Sequence, residues 1–135
     1  MKNISLSFII FTSFAFSACK KDPPMPPFKF YDGIGILTVG QSGLYYLKDT
    51  IKPIELKFIR VVSDSRCPEG AQCLWAGAIS VEILLDKSVR LVIPSLDNLT
   101  TYRGYKIIVT QAMPFPKLGS IIREEDYKVE FKIFK

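Results

Sequence analysis

The sequence of 135 residues contains no histidine. Ser-His-Asp hydrolases and Cys-His nucleophile pairs both use an imidazole as the general base, so the absence of histidine excludes them. Zinc sites built on histidine ligands are excluded for the same reason.

Cysteine is also scarce, and Cys19, Cys67 and Cys73 are the only three in the chain. Five residues separate Cys67 from Cys73, which differs from the Cys-x-x-Cys spacing of redox motifs. Two thiols without histidine make a poor metal site. We therefore expect neither a metal nor another cofactor.

Charge is not concentrated in any part of the sequence. Lys and Arg number 18 against 13 Asp and Glu, which gives a formal net charge of +5. The basic residues are scattered, without the dense basic run or the interleaved aromatic and basic residues of nucleic-acid binders. They are typical of a solvated surface, and no nucleic-acid partner is predicted.

The one long apolar run lies at the N-terminus. Ile4 to Phe16 is an apolar stretch of thirteen residues, which is too short to span a bilayer comfortably. Lys2 precedes it, and the small residues Ser17 and Ala18 follow it, as in a secretory signal. Residues 1–18 are therefore predicted to be a signal peptide.

Phe16-Ser17-Ala18-Cys19 resembles the lipobox of bacterial lipoprotein precursors, in which the cysteine receives diacylglycerol and becomes the first mature residue. Phe16 stands where most lipoboxes have Leu. The resemblance implies that Cys19 carries the lipid, which also accounts for the odd cysteine count. Lys20 replaces the Asp that retains such proteins in the inner membrane, so we expect an outer-membrane lipoprotein that faces the periplasm or the cell surface. The alternative is a plain secretory signal with an incidental cysteine.

The segment after Cys19 is rich in proline. "KKDPPMPPFKF" contains four prolines between Pro23 and Pro27. Such chain favours the extended polyproline II form, which would let Lys20 to Phe28 span roughly 25–30 Å. We interpret residues 19–29 as a lipid-anchored spacer in front of one domain, residues 30–135. A PxxP ligand for a partner domain is the alternative for the proline run.

From Ile34 onward, apolar and polar residues alternate with period two, which is typical of half-buried strands. The predicted fold is all-β, a single antiparallel β-sandwich, immunoglobulin-like or related, of about six or seven strands. Nine positions are predicted to fill its core: Leu56, Phe58, Val81, Ile83, Leu91, Ile107, Val109, Val129 and Phe131.

Two local features of this pattern carry further predictions. The alternating residues Ile79 to Asp86 and the segment "SVRLVIP" that follows the two-residue turn Asp86-Lys87 predict a hairpin. The alternation that begins at Ile54 slips in phase between Ile59 and Val62, which predicts a β-bulge or burial on both faces.

The most distinctive stretch is "DSRCPEGAQCLWAG", residues 64–77. Pro and Gly occupy the second and fourth positions of Cys67-Pro68-Glu69-Gly70, which favours a type I turn that brings Cys67 towards Cys73. In an oxidising envelope, Cys67 and Cys73 are predicted to form a disulfide.

Asp64, Arg66 and Trp75 are the other candidate residues of this loop, for binding or for structure. We expect Asp64 or loop carbonyls to hold Arg66, because a buried fork of five donors must be satisfied; a clamp on an anionic partner is the alternative. Trp75 is expected on a strand that starts near Leu74, packed beside the disulfide. Gly77 is expected to admit a close neighbour.

Asp-Ser-Arg-Cys-Pro followed by Cys-x-Trp-x-Gly resembles a motif of small secreted proteins and lipoproteins, many from Bacteroidetes, whose function is unknown. A second similar element is "YKIIVTQAMPFP" followed by "DYKVEFKI". The likeness covers about residues 38–134. The resemblance supports the predicted β fold and the candidate loop, residues 64–77, and it implies no activity.

Two functions remain open. The first is a non-catalytic, lipid-anchored β domain, bound to the membrane through its anchor, that contacts an envelope protein or glycan through residues 64–77 or Pro114-Phe115-Pro116. The second is an envelope hydrolase that uses Asp64, Glu69 or Glu124-Glu125-Asp126; Asp64 and Glu69 could otherwise cap the loop and pair with Arg66. We expect a protein without enzymatic activity. Two carboxylates converging in one concave pocket would favour the hydrolase.

Overall fold

The structure is a computed structural model that describes residues 25–48, 51–94, 96 and 98–135. The predicted signal peptide, Cys19 and the first part of the spacer lie outside the described residues. Within the described part the chain forms nine strands and no α-helix, and its one helical element is a single 3-10 turn, Glu124–Asp126. No helix in this part is long and apolar enough to cross a membrane.

The strands form two sheets packed face to face. In chain order the strands are β1 (Phe28–Phe30), β2 (Ile34–Thr38), β3 (Ser42–Tyr45), β4 (Ile54–Asp64), β5 (Ile79–Leu85), β6 (Val89–Ile93), β7 (Thr100–Tyr102), β8 (Tyr105–Met113) and β9 (Lys128–Phe134). The five-stranded sheet has the order β1-β3-β4-β5-β6, and the four-stranded sheet has the order β2-β9-β8-β7. The prediction of an all-β sandwich is confirmed.

Two short strands, β1 and β7, were not anticipated. Each has three residues, too few to produce a recognisable alternation. β1 includes Phe28 and Lys29, which the sequence prediction assigned to the spacer, and it runs parallel to β3. The other strand pairs of the described chain are antiparallel.

The core lies between the two sheets and contains eight of the nine predicted residues, each at most 1% exposed. Phe58 of one sheet meets Phe131 of the other edge to face, with ring centroids 5.7 Å apart. Leu91 is the exception: it packs against the core but is only partly buried, because β6 is an edge strand.

Phe30 closes one side of the sandwich, and its ring leaves no room for a side chain at two glycine positions. A Cβ at Gly35 in β2 would lie 2.5 Å from the Phe30 ring, and a Cβ at Gly43 in β3 would lie 2.6 Å from the same ring. The ring also packs against Tyr45, with centroids 4.9 Å apart. Because β2 and β3 belong to different sheets, the Phe30 ring fills the gap between the sheets at the edge where the N-terminal segment arrives.

Asp86 connects the two sheets at one end of the molecule. It lies at the predicted Asp86-Lys87 turn, where both residues have positive φ (45° and 60°). Its carboxylate accepts hydrogen bonds from the Glu55 amide (3.0 Å), the Tyr102 hydroxyl (3.0 Å) and the Arg103 guanidinium (2.9 Å). The turn prediction is confirmed, and the turn also fixes the position of the β7–β8 hairpin.

β4 and β5 extend beyond their neighbours at the opposite end. β3 pairs with β4 only from Ile54 to Lys57, so the remainder of β4 continues past β3. The register of β4 against β5 shifts between Phe58 and Arg60 and again between Val61 and Ser63, which confirms the predicted bulge. Bulges bend and twist an edge and discourage pairing with another chain.

The packing of Phe30 predicts the effect of adding one methyl group. Gly43→Ala should lower the free energy of unfolding by about 1–3 kcal/mol, because the new Cβ overlaps the Phe30 ring. In a Phe30→Ala background the same substitution should cost much less. Urea unfolding of the wild type, both single variants and the double variant measures this coupling. Additive effects would contradict the assignment of Gly43 to the Phe30 ring.

Candidate functional site

The β4–β5 hairpin continues past the ends of its strands into the distinctive loop. The Ser65 amide donates to the Ala78 carbonyl (2.7 Å), and the Cys67 amide donates to the Ala76 carbonyl (2.9 Å). These bonds keep the register set by Asp64 opposite Ile79, so residues 65–78 form the tip of one long hairpin. We call residues 65–78 the hairpin tip.

Gly77 permits the two sides of the hairpin tip to approach each other. It has φ +73°, and a Cβ at this position would lie 1.8 Å from the Ser65 carbonyl oxygen. The predicted close neighbour is therefore the backbone of the opposite side of the hairpin. Gly77 itself lies in the connecting segment, since β5 begins at Ile79.

The predicted disulfide between Cys67 and Cys73 is present, with a Cα–Cα distance of 5.9 Å. It closes the end of the hairpin tip into a small loop. Loop-closure entropy for so short a loop corresponds to a stabilisation of about 2 kcal/mol. The covalent bond therefore restricts the segment that carries Leu74 and Trp75 at its outer end.

The prediction for Trp75 is wrong. Its side chain is 75% exposed, and no strand starts near Leu74, which is fully exposed. Both residues lie beyond the last cross-strand hydrogen bond, from Cys67 to Ala76. The alternation of strand faces ends there, and the tip projects past the region where the second sheet could cover an indole.

Arg66 is buried at the base of the hairpin tip, with 5% of its surface exposed. Its guanidinium donates to both oxygens of Asp64, from Nε to Oδ1 (2.9 Å) and from Nη2 to Oδ2 (2.7 Å). It also donates to the carbonyl of Ala112 (2.5 Å) and to the carbonyl of Pro114 (2.9 Å). The prediction that Asp64 and carbonyls hold Arg66 is confirmed.

Asp64 and Phe115 complete this cluster. The hydroxyl of Tyr127 donates to Oδ2 of Asp64 (3.0 Å), and the Arg66 amide donates to Oδ1 (3.2 Å). The guanidinium carbon of Arg66 lies 4.9 Å from the centroid of the Phe115 ring. The Arg66 cluster (Asp64, Arg66, Ala112, Pro114, Phe115 and Tyr127) therefore joins the five-stranded sheet to the four-stranded sheet.

The cluster shifts the pKa values of its two weak acids in opposite directions. Burial raises the pKa of Asp64, but the hydrogen bonds and charge of Arg66, with the hydroxyl of Tyr127, outweigh burial and hold that pKa below its ordinary value. Burial and the neighbouring Asp64 carboxylate raise the pKa of Tyr127 to about 12. Asp64 is therefore an anion and Tyr127 a neutral donor at neutral pH.

A second loop supports the hairpin tip from the side. It follows the cis peptide bond between Met113 and Pro114, and we call residues 114–123 the proline loop. The Glu69 amide donates to the Pro116 carbonyl (2.9 Å), and the Leu118 amide donates to the Glu69 carbonyl (3.2 Å). Glu69 thus joins the loops through its backbone, while the carboxylate that pairs with Arg66 is that of Asp64.

A groove of about 540 Å³ runs between the end of β4 and the proline loop. Asp64 and Glu124 both line it, together with Arg60, Ser120 and Tyr127. Two of the carboxylates considered for catalysis therefore share one concave surface, whereas Glu69 is not among its lining residues. Among the described residues, no three His, Cys, Asp or Glu side chains group closely enough to hold a metal ion.

Exposed apolar side chains are frequent on the two loops. Besides Leu74 and Trp75 on the hairpin tip, the proline loop exposes Phe115, Leu118 and Ile121. Sequence reasoning named Trp75 and the Phe115 region but did not find the exposure of Leu74, Leu118 and Ile121. A residue type alone does not reveal exposure in a loop, since the period-two rule applies only to paired strands.

No protein-family model matches the chain, and neither a curated protein nor a solved structure shows significant similarity to it.

The buried ion pair predicts a large effect of one substitution. Arg66→Met should lower the free energy of unfolding by about 3–5 kcal/mol, because Asp64 remains buried without its partner. The matched control is Arg123→Met, whose side chain is 71% exposed and should change stability by no more than about 0.5 kcal/mol. Equal effects of the two substitutions in urea unfolding would contradict the role of the Arg66 cluster.

The same pair also contributes to the stability of the protein in acid. Because the pKa of Asp64 is lower in the folded state, its contribution is complete above the unfolded pKa of about 3.9 and is lost as the pH falls through the folded value. Asp64→Asn should therefore show a smaller drop in unfolding free energy between pH 7 and acidic pH than the wild type.

Proposed function

We propose that this protein is a lipid-anchored, non-catalytic interaction module of a bacterial envelope. Its contact surface is the hairpin tip together with the proline loop. The observation that carries the proposal is the exposure of Leu74 and Trp75 on a loop that a disulfide, a buried ion pair and cross-loop hydrogen bonds hold in place.

Preorganisation explains why such a loop suits binding. A contact loses affinity when it must order a mobile loop, and the braced hairpin tip has little ordering left to undergo. Aromatic side chains such as Trp75 are enriched in the centres of interaction surfaces, where they bury a large area with few rotatable bonds. Exposed apolar residues grouped at one end of a small domain are typical of an interaction surface.

The support for a lipid anchor comes from the sequence. The apolar run of residues 4–16, the small residues before Cys19 and the odd cysteine support lipidation at Cys19. The disulfide between Cys67 and Cys73 uses two of the three cysteines, which supports a separate role for Cys19. The resemblance of the lipobox and the residue Lys20 favour the outer membrane.

Arg66 is poorly suited to bind an anionic ligand. Its guanidinium already donates four hydrogen bonds within the protein, and its side chain is 3% exposed. A ligand carboxylate or phosphate would have to displace Asp64 or a backbone carbonyl. The structural role of Arg66 therefore has more support than the role of an anion clamp.

The alternative is an envelope hydrolase, favoured by the groove that Asp64 and Glu124 share. Glycosidases with two carboxylates need one of them protonated at working pH, which requires a raised pKa. The pKa of Asp64 is lowered, and both of its oxygens accept hydrogen bonds from Arg66. Asp64 is therefore unsuited to be the general acid, and the interaction module remains the better-supported function.

Site-specific photocrosslinking in the native envelope tests the proposal. A diazirine amino acid at Leu74, on the hairpin tip, should form adducts with an envelope component. The control is the same amino acid at Ile51, which is equally exposed but lies between β3 and β4 at the opposite end. Cys19→Ser should release the protein from the membrane fraction and abolish the adduct at Leu74.

Two results would count against the proposal. Equal adduct formation at Leu74 and Ile51 would show that the hairpin tip is not a preferred contact surface. A Cys19→Ser variant that is processed like the wild type and stays in the detergent phase would show that Cys19 is not the anchor.

A further inference from the structure

The most exposed apolar side chains at the tip end of the sandwich have nothing in the described chain to cover them. Leu74, Trp75 and Ile121 are 107%, 75% and 94% exposed. They lie on two loops that are bonded to each other through Glu69. An apolar surface of this kind is stabilised when a partner removes it from water.

The N-terminal segment enters the sandwich from the same end. β1 is parallel to β3, and β3 is antiparallel to β4, so the start of β1 points in the direction in which β4 runs. Met25 and Pro26, which precede β1, line a groove beside Gln41 in the β2–β3 turn. The chain therefore connects to Cys19 from the end that carries the hairpin tip.

The reach of the anchor segment before Phe28 can be compared with the length of the hairpin beyond Leu56. Phe28 pairs with Gly43, and Gly43 pairs with Leu56, so Phe28 and Leu56 lie at the same height. From Phe28 back to Cys19 a fully extended chain covers at most about 30 Å. Because β4 is bulged, the height of the hairpin is counted on its partner strand: from Leu85, opposite Leu56, to Ala76, opposite Cys67, the chain spans about 30 Å at the rise of a strand. The hairpin tip thus projects about as far as the anchor chain can reach when it is fully extended.

We infer that the hairpin tip contacts the lipid surface in which Cys19 is anchored, with Trp75 and Leu74 inserted into the interfacial layer. The inference rests on the proposed lipid anchor and names the partner of the same contact surface. A lipid on Cys19 within about 30 Å of Phe28 holds the projecting tip against the bilayer. Tryptophan is favoured at that depth, since its ring is apolar and its N–H is polar.

The anchor explains how so small an apolar surface can stay bound. Two side chains bury too little area to hold a free protein on a membrane. A covalent tether converts the contact into an intramolecular event with a high effective concentration, so a weak contact is populated. The domain would then stand on the membrane in one orientation, with the Asp86 turn facing away.

Charge does not favour a particular lipid headgroup at this surface. The proline loop carries Lys117 and Arg123, but Arg123 pairs with Asp126 and Glu125, and the backbone of Lys117 pairs with that of the acidic residue Glu69. The contact is therefore apolar, and we expect little dependence on salt or on anionic lipid.

Trp75 is the only tryptophan of the chain, so its fluorescence reports the hairpin tip without labelling. The experiment reconstitutes the full lipidated protein into phosphatidylcholine vesicles, with and without brominated acyl chains. We expect the Trp75 emission to shift to shorter wavelength and to lose intensity in the brominated vesicles. The same result should hold at low and high salt.

Three variants make the result specific. Cys19→Ser should stay in solution with unshifted emission, because the tip alone does not bind vesicles. Leu74→Ser should reduce the quenching, whereas Ile51→Ser, which changes an equally exposed residue at the opposite end, should leave it unchanged.

The outcomes separate the inference from the proposed function. A protein that is anchored in vesicles but shows unshifted and unquenched Trp75 emission would overturn the lipid contact and leave the anchored module intact. Adducts from Leu74 to an envelope protein, combined with unquenched Trp75, would assign the surface to that protein. A chain that carries no lipid on Cys19 would overturn both proposals.

Discussion

One buried guanidinium determines how the loop end of this protein is built. Arg66 donates to Asp64 on β4, to Ala112 on β8 and to Pro114 after β8, while Tyr127 donates to the same Asp64. A buried ion pair is costly unless its remaining donors and acceptors are satisfied, and here the acceptors come from both sheets. The two sheets and the two loops must therefore keep one arrangement for the pair to stay satisfied.

This constraint connects the fold to the proposed function. The Arg66 cluster holds the base of the hairpin tip, and the disulfide closes its end, so Leu74 and Trp75 are presented to the outside on a fixed frame. The Phe30 ring packs against Gly35 of β2 and Gly43 of β3 and so fixes the position of β1, from which the proposed anchor segment would leave the domain. The start of β1 and the hairpin tip lie at one end of the sandwich, so the proposed anchor at Cys19 would bring the tip to an envelope surface.

Much of the fold and part of the site follow from the sequence. Successive side chains of a strand point to opposite faces of the sheet, so an alternation of apolar and polar residues shows which side chains are buried. Phe58 and Phe131 were predictable in this way, and so was a structural role for Arg66, whose donors need acceptors. Its carbonyl acceptor on Ala112, 46 residues away, depends on tertiary packing that no local pattern encodes. Trp75 was misplaced because the alternation was extended past the last cross-strand bond.

Amide hydrogen exchange of the folded protein tests whether the hairpin tip is held in place before it meets any partner. The Cys67 and Glu69 amides donate to Ala76 and Pro116 at the two contacts that brace the tip. Both amides should exchange slowly, close to the rate of β4, while Trp75 remains in water. Exchange of Cys67 and Glu69 at the rate of an unstructured peptide would contradict this bracing of the tip.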